Sequence, residues 1–177
     1  MNKLKTILYI ATSQDDFIAD KDGGVGWLDP YNNIEGEDCG YHAFYDSIDG
    51  IIMGSRSYEQ ILGFGEWIWP GKPTFVFTAR MLEVERSEVV FVSEDVATFM
   101  SQLQSKNRHQ NLWLLGGAEL IKSFADLGLI DECITTIIPT SLGEGIPLSL
   151  PYKDFELTNT KKCKEGIVQK TYVRNFC

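Results

Sequence analysis

The stretch that most restricts the fold is Leu112 to Phe124, Leu-Trp-Leu-Leu-Gly-Gly-Ala-Glu-Leu-Ile-Lys-Ser-Phe. An unbroken apolar run enters two glycines and passes straight into a segment with Ala118, Ile121, Phe124 and Ala125 at helical spacing. The pattern reads as buried strand, tight turn, helix. Such a turn presents backbone N–H groups at the positive end of a helix dipole. With no Cβ at Gly116 and Gly117, a phosphate can approach those donors closely. Close packing of strand on helix would use the same two glycines, because Gly-Gly lacks the spacing of a Rossmann or Walker motif.

The motif has company. Ile51-Ile52-Met53 reads as a short buried strand and runs into Gly54-Ser55-Arg56-Ser57-Tyr58-Glu59, with Ile61 and Leu62 continuing a helix. Arg56 and Ser57 would add side-chain donors to the backbone ones; the plainer alternative is a helix capped by Ser55 with Arg56 in solvent. A third strand, Thr74 to Thr78, is closed by Ala79-Arg80. In an open α/β sheet the ligand crevice lies at the carboxyl ends of the strands, so the three segments are expected to converge on one elongated polyanion.

Around them, Thr6–Ala11 reads as the first buried strand and Ser13–Gly26 as an acidic, glycine-bearing surface loop with Phe17 and Ile18 as inward anchors. Its carboxylates do not follow the calcium-loop spacing of an EF-hand. Glu37–Ser47 reads as a helix with acids at its N-terminal side, Val96–Gln104 as another, and Val89–Val92 and Ile130–Pro139 as strands. Phe155–Lys161 and Gly166–Phe176 form a terminal antiparallel pair. The expected architecture is α/β, a mostly parallel central sheet with antiparallel C-terminal strands, in a single domain spanning residues 1–177.

Composition narrows the partners. A net charge of -9 repels polyanions, which argues against nucleic acid or an anionic membrane surface. No apolar run reaches the length of a membrane span, so a cytoplasmic setting is expected. Cys39, Cys133, Cys163 and Cys177 include no Cys-x-x-Cys pair, and only His42 and His109 could join them as ligands. Free thiols and no metal are the expectation.

With these segments in order, the chain resembles the dihydrofolate reductase-like superfamily, a three-layer α/β fold. It is most similar there to stand-alone proteins resembling the reductase (C-terminal) domain of the bifunctional riboflavin-biosynthesis deaminase/reductase. The matching stretches are Tyr9-Ile10-Ala11 with Phe17-Ile18-Ala19 and Gly26-Trp27-Leu28, then Ile52 to Glu59, Val76 to Arg80, Leu115 to Leu120, and Gly143 to Pro147. The resemblance implies an NADPH-dependent oxidoreductase. Gly54, Ser55, Arg56 and Ser57 would hold the pyrophosphate, and Thr78 and Arg80 the adenosine 2'-phosphate. Gly116, Gly117, Ala118 and Glu119 would wrap the diphosphate, the two glycines being joined in this family by a cis bond. Ala11 and Ile18 would lie near the nicotinamide, with Asp20–Val25 as a mobile lid.

The substrate implied is a pyrimidine or pterin-type small molecule, as in 5-amino-6-(5-phosphoribosylamino)uracil reductase. Asp38 stands, by its spacing to Met53, about where folate enzymes carry a catalytic carboxylate, although acids there also simply favour a helix N-terminus. Gly26-Trp27-Leu28-Asp29-Pro30 replaces the folate enzymes' Leu-Pro-Trp. Dihydrofolate reductase is therefore the alternative enzyme, and a non-catalytic nucleotide-binding module the alternative of another class. A homodimer is usual among the riboflavin-type relatives, and the β-prone C-terminal segments offer an edge for one.

Overall fold

The computed structural model describes residues 4–83, 86–106 and 108–175 of the chain. Strand β1 (Lys5–Thr12) lies mid-sheet, and the order across the sheet is β5-β4-β3-β6-β1-β7-β10-β9. Its parallel members are β3 (Gly50–Gly54), β4 (Thr74–Phe77), β5 (Val89–Val92), β6 (Asn111–Gly116) and β7 (Glu132–Ile137), together with β1. The terminal β9 (Phe155–Lys162) and β10 (Val168–Arg174) pair antiparallel, β10 joining β7. This is the mostly parallel sheet with antiparallel C-terminal strands that the sequence suggests.

Strand side chains alternate between faces, and over the inner parallel strands both faces are covered, so β3, β4 and β6 are apolar at almost every position, whereas the edge strand β9 is mostly polar and exposed. Ile7, Tyr9, Ile51, Met53 and Trp113 turn to one face, where Phe44 of α1 (Tyr41–Ser47), Tyr58 of α2 (Ser55–Gly63), Trp67 and Trp69 cover them. Leu8, Ile52, Phe75, Leu112 and Leu114 turn to the other, against Phe99 and Leu103 of α3 (Val96–Lys106) and Ile121 and Phe124 of α4 (Ala118–Asp126). Two cores separated by one sheet give the three layers.

Several boundaries differ from the sequence reading. The segment Ser13–Gly26 contains a short strand, β2 (Phe17–Ala19), which pairs with β8 (Ile146–Pro147), and Gly26–Tyr31 is a 3-10 turn. Three residues are too few to show strand alternation, and the partner lies far along the chain. The first helix starts at Tyr41 instead of Glu37, because Cys39 (φ 51°) and Gly40 (φ 84°) are left-handed and cannot continue a helix backwards. The last strand starts at Val168, after a 3-10 turn at Lys164–Gly166. Its expected end at Phe176 lies outside the described residues.

The cysteines also differ. Cys39 and Cys163 are disulfide-bonded, with Cα atoms 5.8 Å apart, which corrects the expectation of free thiols throughout. The fold brings together two residues separated by 124 positions, a pairing that spacing could not reveal. Cys133 is a free thiol sealed in the core, and burial pushes its pKa up. Cys177 lies outside the described residues.

Candidate active site

The ends of β3, β4 and β6 meet because their registers align: Gly54 is paired with Phe77, and Met53 with Gly116. Helix α2 starts directly after Gly54 and α4 directly after Gly117, so two helix N-termini open side by side. Neither has a side-chain cap, which leaves first-turn N–H groups available to a guest. The approach is close: a Cβ on Gly54 would lie 3.7 Å from the Gly117 nitrogen, and one on Gly117 would lie 3.3 Å from Ser57 Oγ. The Gly116-Gly117 peptide bond is cis.

Ser55 is the first residue of α2, not its cap, and its Oγ accepts a hydrogen bond of 3.2 Å from Arg80 Nη2. Thr78 Oγ1 accepts the Arg80 backbone N–H at 3.0 Å, which turns the chain after β4 toward α2. The Arg80 guanidinium also engages both carboxylate oxygens of Glu59, at 3.1 and 2.6 Å. That pairing lowers the Glu59 pKa and raises that of Arg80. Arg56 faces Glu119 across the two helix starts at 3.7 Å, both side chains being about nine-tenths exposed. Such a pair is held loosely. Gly54, Ser55, Arg56, Ser57, Thr78, Arg80, Gly116, Gly117, Ala118 and Glu119 thus form one mouth. Sequence reading missed Glu59, although it sits four residues after Ser55 on the same helix face.

Ala11 and Ile18 do not share a cluster. Ile18 packs on the core beneath α3 and α4, whereas Ala11 packs with Trp27, Leu28, Tyr31 and the two bonded cysteines. The Asp20–Val25 loop is compact and tethered. Asp20 Oδ1 accepts the N–H groups of Asp22 and Gly24, while Gln60 Nε2 of α2 donates to the Gly23 carbonyl at 3.1 Å. Asp15 likewise serves the backbone. It accepts the Leu142 and Gly143 N–H groups, and with a Ser13 hydrogen bond as the largest cause its pKa falls to about 2.

Asp38 lies just before α1, where its carboxylate accepts the N–H groups of Gly40 (2.8 Å) and His42 (3.0 Å) and His42 Nδ1–H (2.7 Å). These bonds, that of the His42 backbone foremost, hold its pKa well below the usual carboxylate range. On the same side of the sheet, Gln169 Nε2 of β10 donates to Tyr9 Oη and Thr136 Oγ1, both at 3.2 Å. Trp27 Nε1–H is buried and has no acceptor among the described residues. A buried donor without a partner is costly, so a bound molecule or water is its natural complement. A hollow beside Leu4, Met100 and Leu129 lies at the opposite, amino ends of β1 and β7, where open α/β sheets do not place ligands.

Residues 55–169 match the family model of the RibD C-terminal domain. The chain is 39% identical over 162 residues to YwjB of Bacillus subtilis (strain 168), covering 90% of this chain and 88% of that protein. A solved structure of a protein from Shewanella sp. PV-4, named for riboflavin biosynthesis, is 32% identical and superimposes with a TM-score of 0.84, covering 98% of this chain and all of that one. Dihydrofolate reductase from Enterococcus faecalis, solved with NADP(H), shares 15% identity and a TM-score of 0.70 over 99% of both chains. That last likeness establishes the dihydrofolate reductase-like fold.

Proposed function

The chain belongs to the RibD C-terminal domain family, and from that premise we propose that it is an NADPH-dependent reductase of a pyrimidine or pterin-type small molecule. The reaction would resemble that of 5-amino-6-(5-phosphoribosylamino)uracil reductase. The observation that carries this reading is the convergence of two uncapped helix starts with Ser55, Ser57, Thr78 and Arg80 at one mouth. Anionic groups suit helix N-termini, and a guanidinium fork suits a terminal phosphate.

NADPH, when bound, supplies the hydride. The N-termini of α2 and α4 hold its pyrophosphate, and Gly54, Gly116 and Gly117 keep that path clear of side chains. Thr78 and Arg80 take the 2'-phosphate, for which Arg80 exchanges its contact with Glu59. Ala11 of β1 and Ile18 of β2, although they pack in different clusters, would border the nicotinamide. Asp38, being ionised, accepts hydrogen bonds from the amino or amidine edge of the acceptor, and Trp27 Nε1–H donates to an oxygen or ring nitrogen. Within this reading the protein is cytoplasmic and pairs as a homodimer through the exposed edge strand β9.

Dihydrofolate reductase is a second reading, favoured by the Asp38 carboxylate just before α1. Incubation with deuterium-labelled NADPH and a panel of aminopyrimidine ribosides, their phosphates and dihydropterins separates the possibilities. Transfer of the label to a pyrimidine riboside supports the first. Transfer only to dihydrofolate, lost in Asp38→Asn, replaces it with the second. Tight NADPH binding with no label transferred to any acceptor makes the protein a nucleotide-binding module.

A further inference from the structure

Cys39 directly follows Asp38, and Cys163 opens the turn between β9 and β10. The bond therefore ties the irregular segment before α1 to the terminal hairpin. Glu37 lies beside it, its two carboxylate oxygens accepting the N–H groups of Cys39 (2.8 Å) and Lys164 (3.1 Å). Lys164 Nζ completes the seam by donating to the Glu35 carbonyl at 2.9 Å. Accessibility is unequal: Cys39 is 7% exposed and packed among Ile138 and Ile167, whereas Cys163 is half-buried at a hairpin turn.

We propose that Cys39 and Cys163 form a reversible thiol–disulfide site that exchanges with dithiol reductants through Cys163 and sets the order of residues 33–40. A thiolate of the dithiol attacks the Cys163 sulfur; the Cys39–Cys163 bond breaks and Cys39 leaves as a thiolate that takes up a proton. The second thiol of the reductant then displaces Cys163 from the mixed disulfide. The protein gains two electrons and two protons, and the dithiol becomes a disulfide. In the oxidised state the segment bearing Asp38 is pinned at Cys39. After reduction the Glu37 and Lys164 hydrogen bonds and the packing of Cys39 on Ile167 still join it to the hairpin, but no covalent tie does, and the segment opens more often. The mouth at Gly54, Arg80 and Gly117 lies on other elements and is unaffected. The exchange chemistry is independent of the reductase reading; its effect on turnover rests on that reading.

The test equilibrates the full chain with mixtures of reduced and oxidised dithiothreitol. Peptide mapping after alkylation follows the two cysteines, and hydrogen exchange follows residues 33–40. A Cys39–Cys163 peptide that appears in the oxidised buffers and disappears in the reduced ones is expected. Exchange at residues 33–40 should quicken by about tenfold on reduction, and in Cys163→Ser whatever the buffer. The NADPH dissociation constant should stay within about twofold, and for any acceptor found, KM should rise on reduction. Full alkylation of both cysteines in every buffer overturns the proposal, as does unchanged exchange at residues 33–40. Zinc retained stoichiometrically by the reduced protein and lost in Cys163→Ser also overturns it, in favour of a metal site at Glu37, Cys39 and Cys163. Apart from KM, none of these readouts needs a known acceptor, so failure of the reductase reading is seen separately, as absent NADPH binding or absent label transfer.

Discussion

Arg80 shows how a residue proposed for a ligand can carry a resting contact that the sequence hides. The resemblance assigns Arg80 to the 2'-phosphate from its place after β4, and nothing in the sequence suggests that both oxygens of Glu59 already occupy the guanidinium. A 2'-phosphate must displace a carboxylate, so Glu59→Gln is expected to tighten NADPH while leaving NADH unchanged. Arg80→Ala is expected to weaken NADPH by about ten- to a hundredfold and NADH hardly at all, as measured by calorimetry. Equal losses for both cofactors would remove Arg80 from the 2'-phosphate. Gly117→Val adds bulk where a Cβ alone would lie 3.3 Å from Ser57 Oγ, and is expected to abolish cofactor binding in a chain that still folds. Retained affinity would take that glycine out of the site. Trp27, which the sequence offers within the Gly26-Trp27-Leu28 match but with no role of its own, and Gln169 carry lone polar tips on otherwise apolar or strand-like residues, which give no spacing signal.

Among the elements, those with long apolar runs were legible and those fixed by one tertiary partner were not. β6 and α4 announce themselves because each is buried: Leu112 and Leu114 on the strand, and Ile121 and Phe124 on the helix, have no exposed surface. β2 needs β8, and the start of α1 is set by two left-handed residues that a periodicity count reads as helix. The same contrast governs stability. Phe124→Ala is expected to cost about 3–5 kcal/mol in urea denaturation, because it opens a cavity between α4 and the sheet. Leu127→Ala, just after α4 and 51% exposed, is expected to change stability by less than about 0.5 kcal/mol. Similar losses at the two positions would contradict the assignment of the core.

The whole molecule is acidic, and several of its carboxylates are put to structural use. Asp15, Glu37, Asp38, Glu59 and Asp95 all have pKa values lowered in the folded chain, by hydrogen bonds to nearby side chains and backbone N–H groups. The folded state therefore binds fewer protons than the unfolded one, and the stability this confers is complete above the unfolded values near pH 4. It is lost as pH falls through the folded values, which for Asp15 means about 2. The melting temperature is expected to decline steadily from about pH 5 downward, and a flat profile to pH 3 would contradict these bonds. At this scale the sheet and its three converging strand ends were readable from the order of apolar runs and glycines. The disulfide between chain-distant Cys39 and Cys163 was not, because only the closed fold makes them neighbours. In the proposed function three loops far apart in sequence share one groove for a dinucleotide carrying an extra phosphate. Calorimetric titration of the wild-type chain with NADPH, NADH and adenosine 2',5'-bisphosphate tests it most directly. One site per chain is expected, with NADPH tighter than NADH by about tenfold or more and displaced by the bisphosphate; no binding, or equal affinity for the two cofactors, would contradict the shared groove.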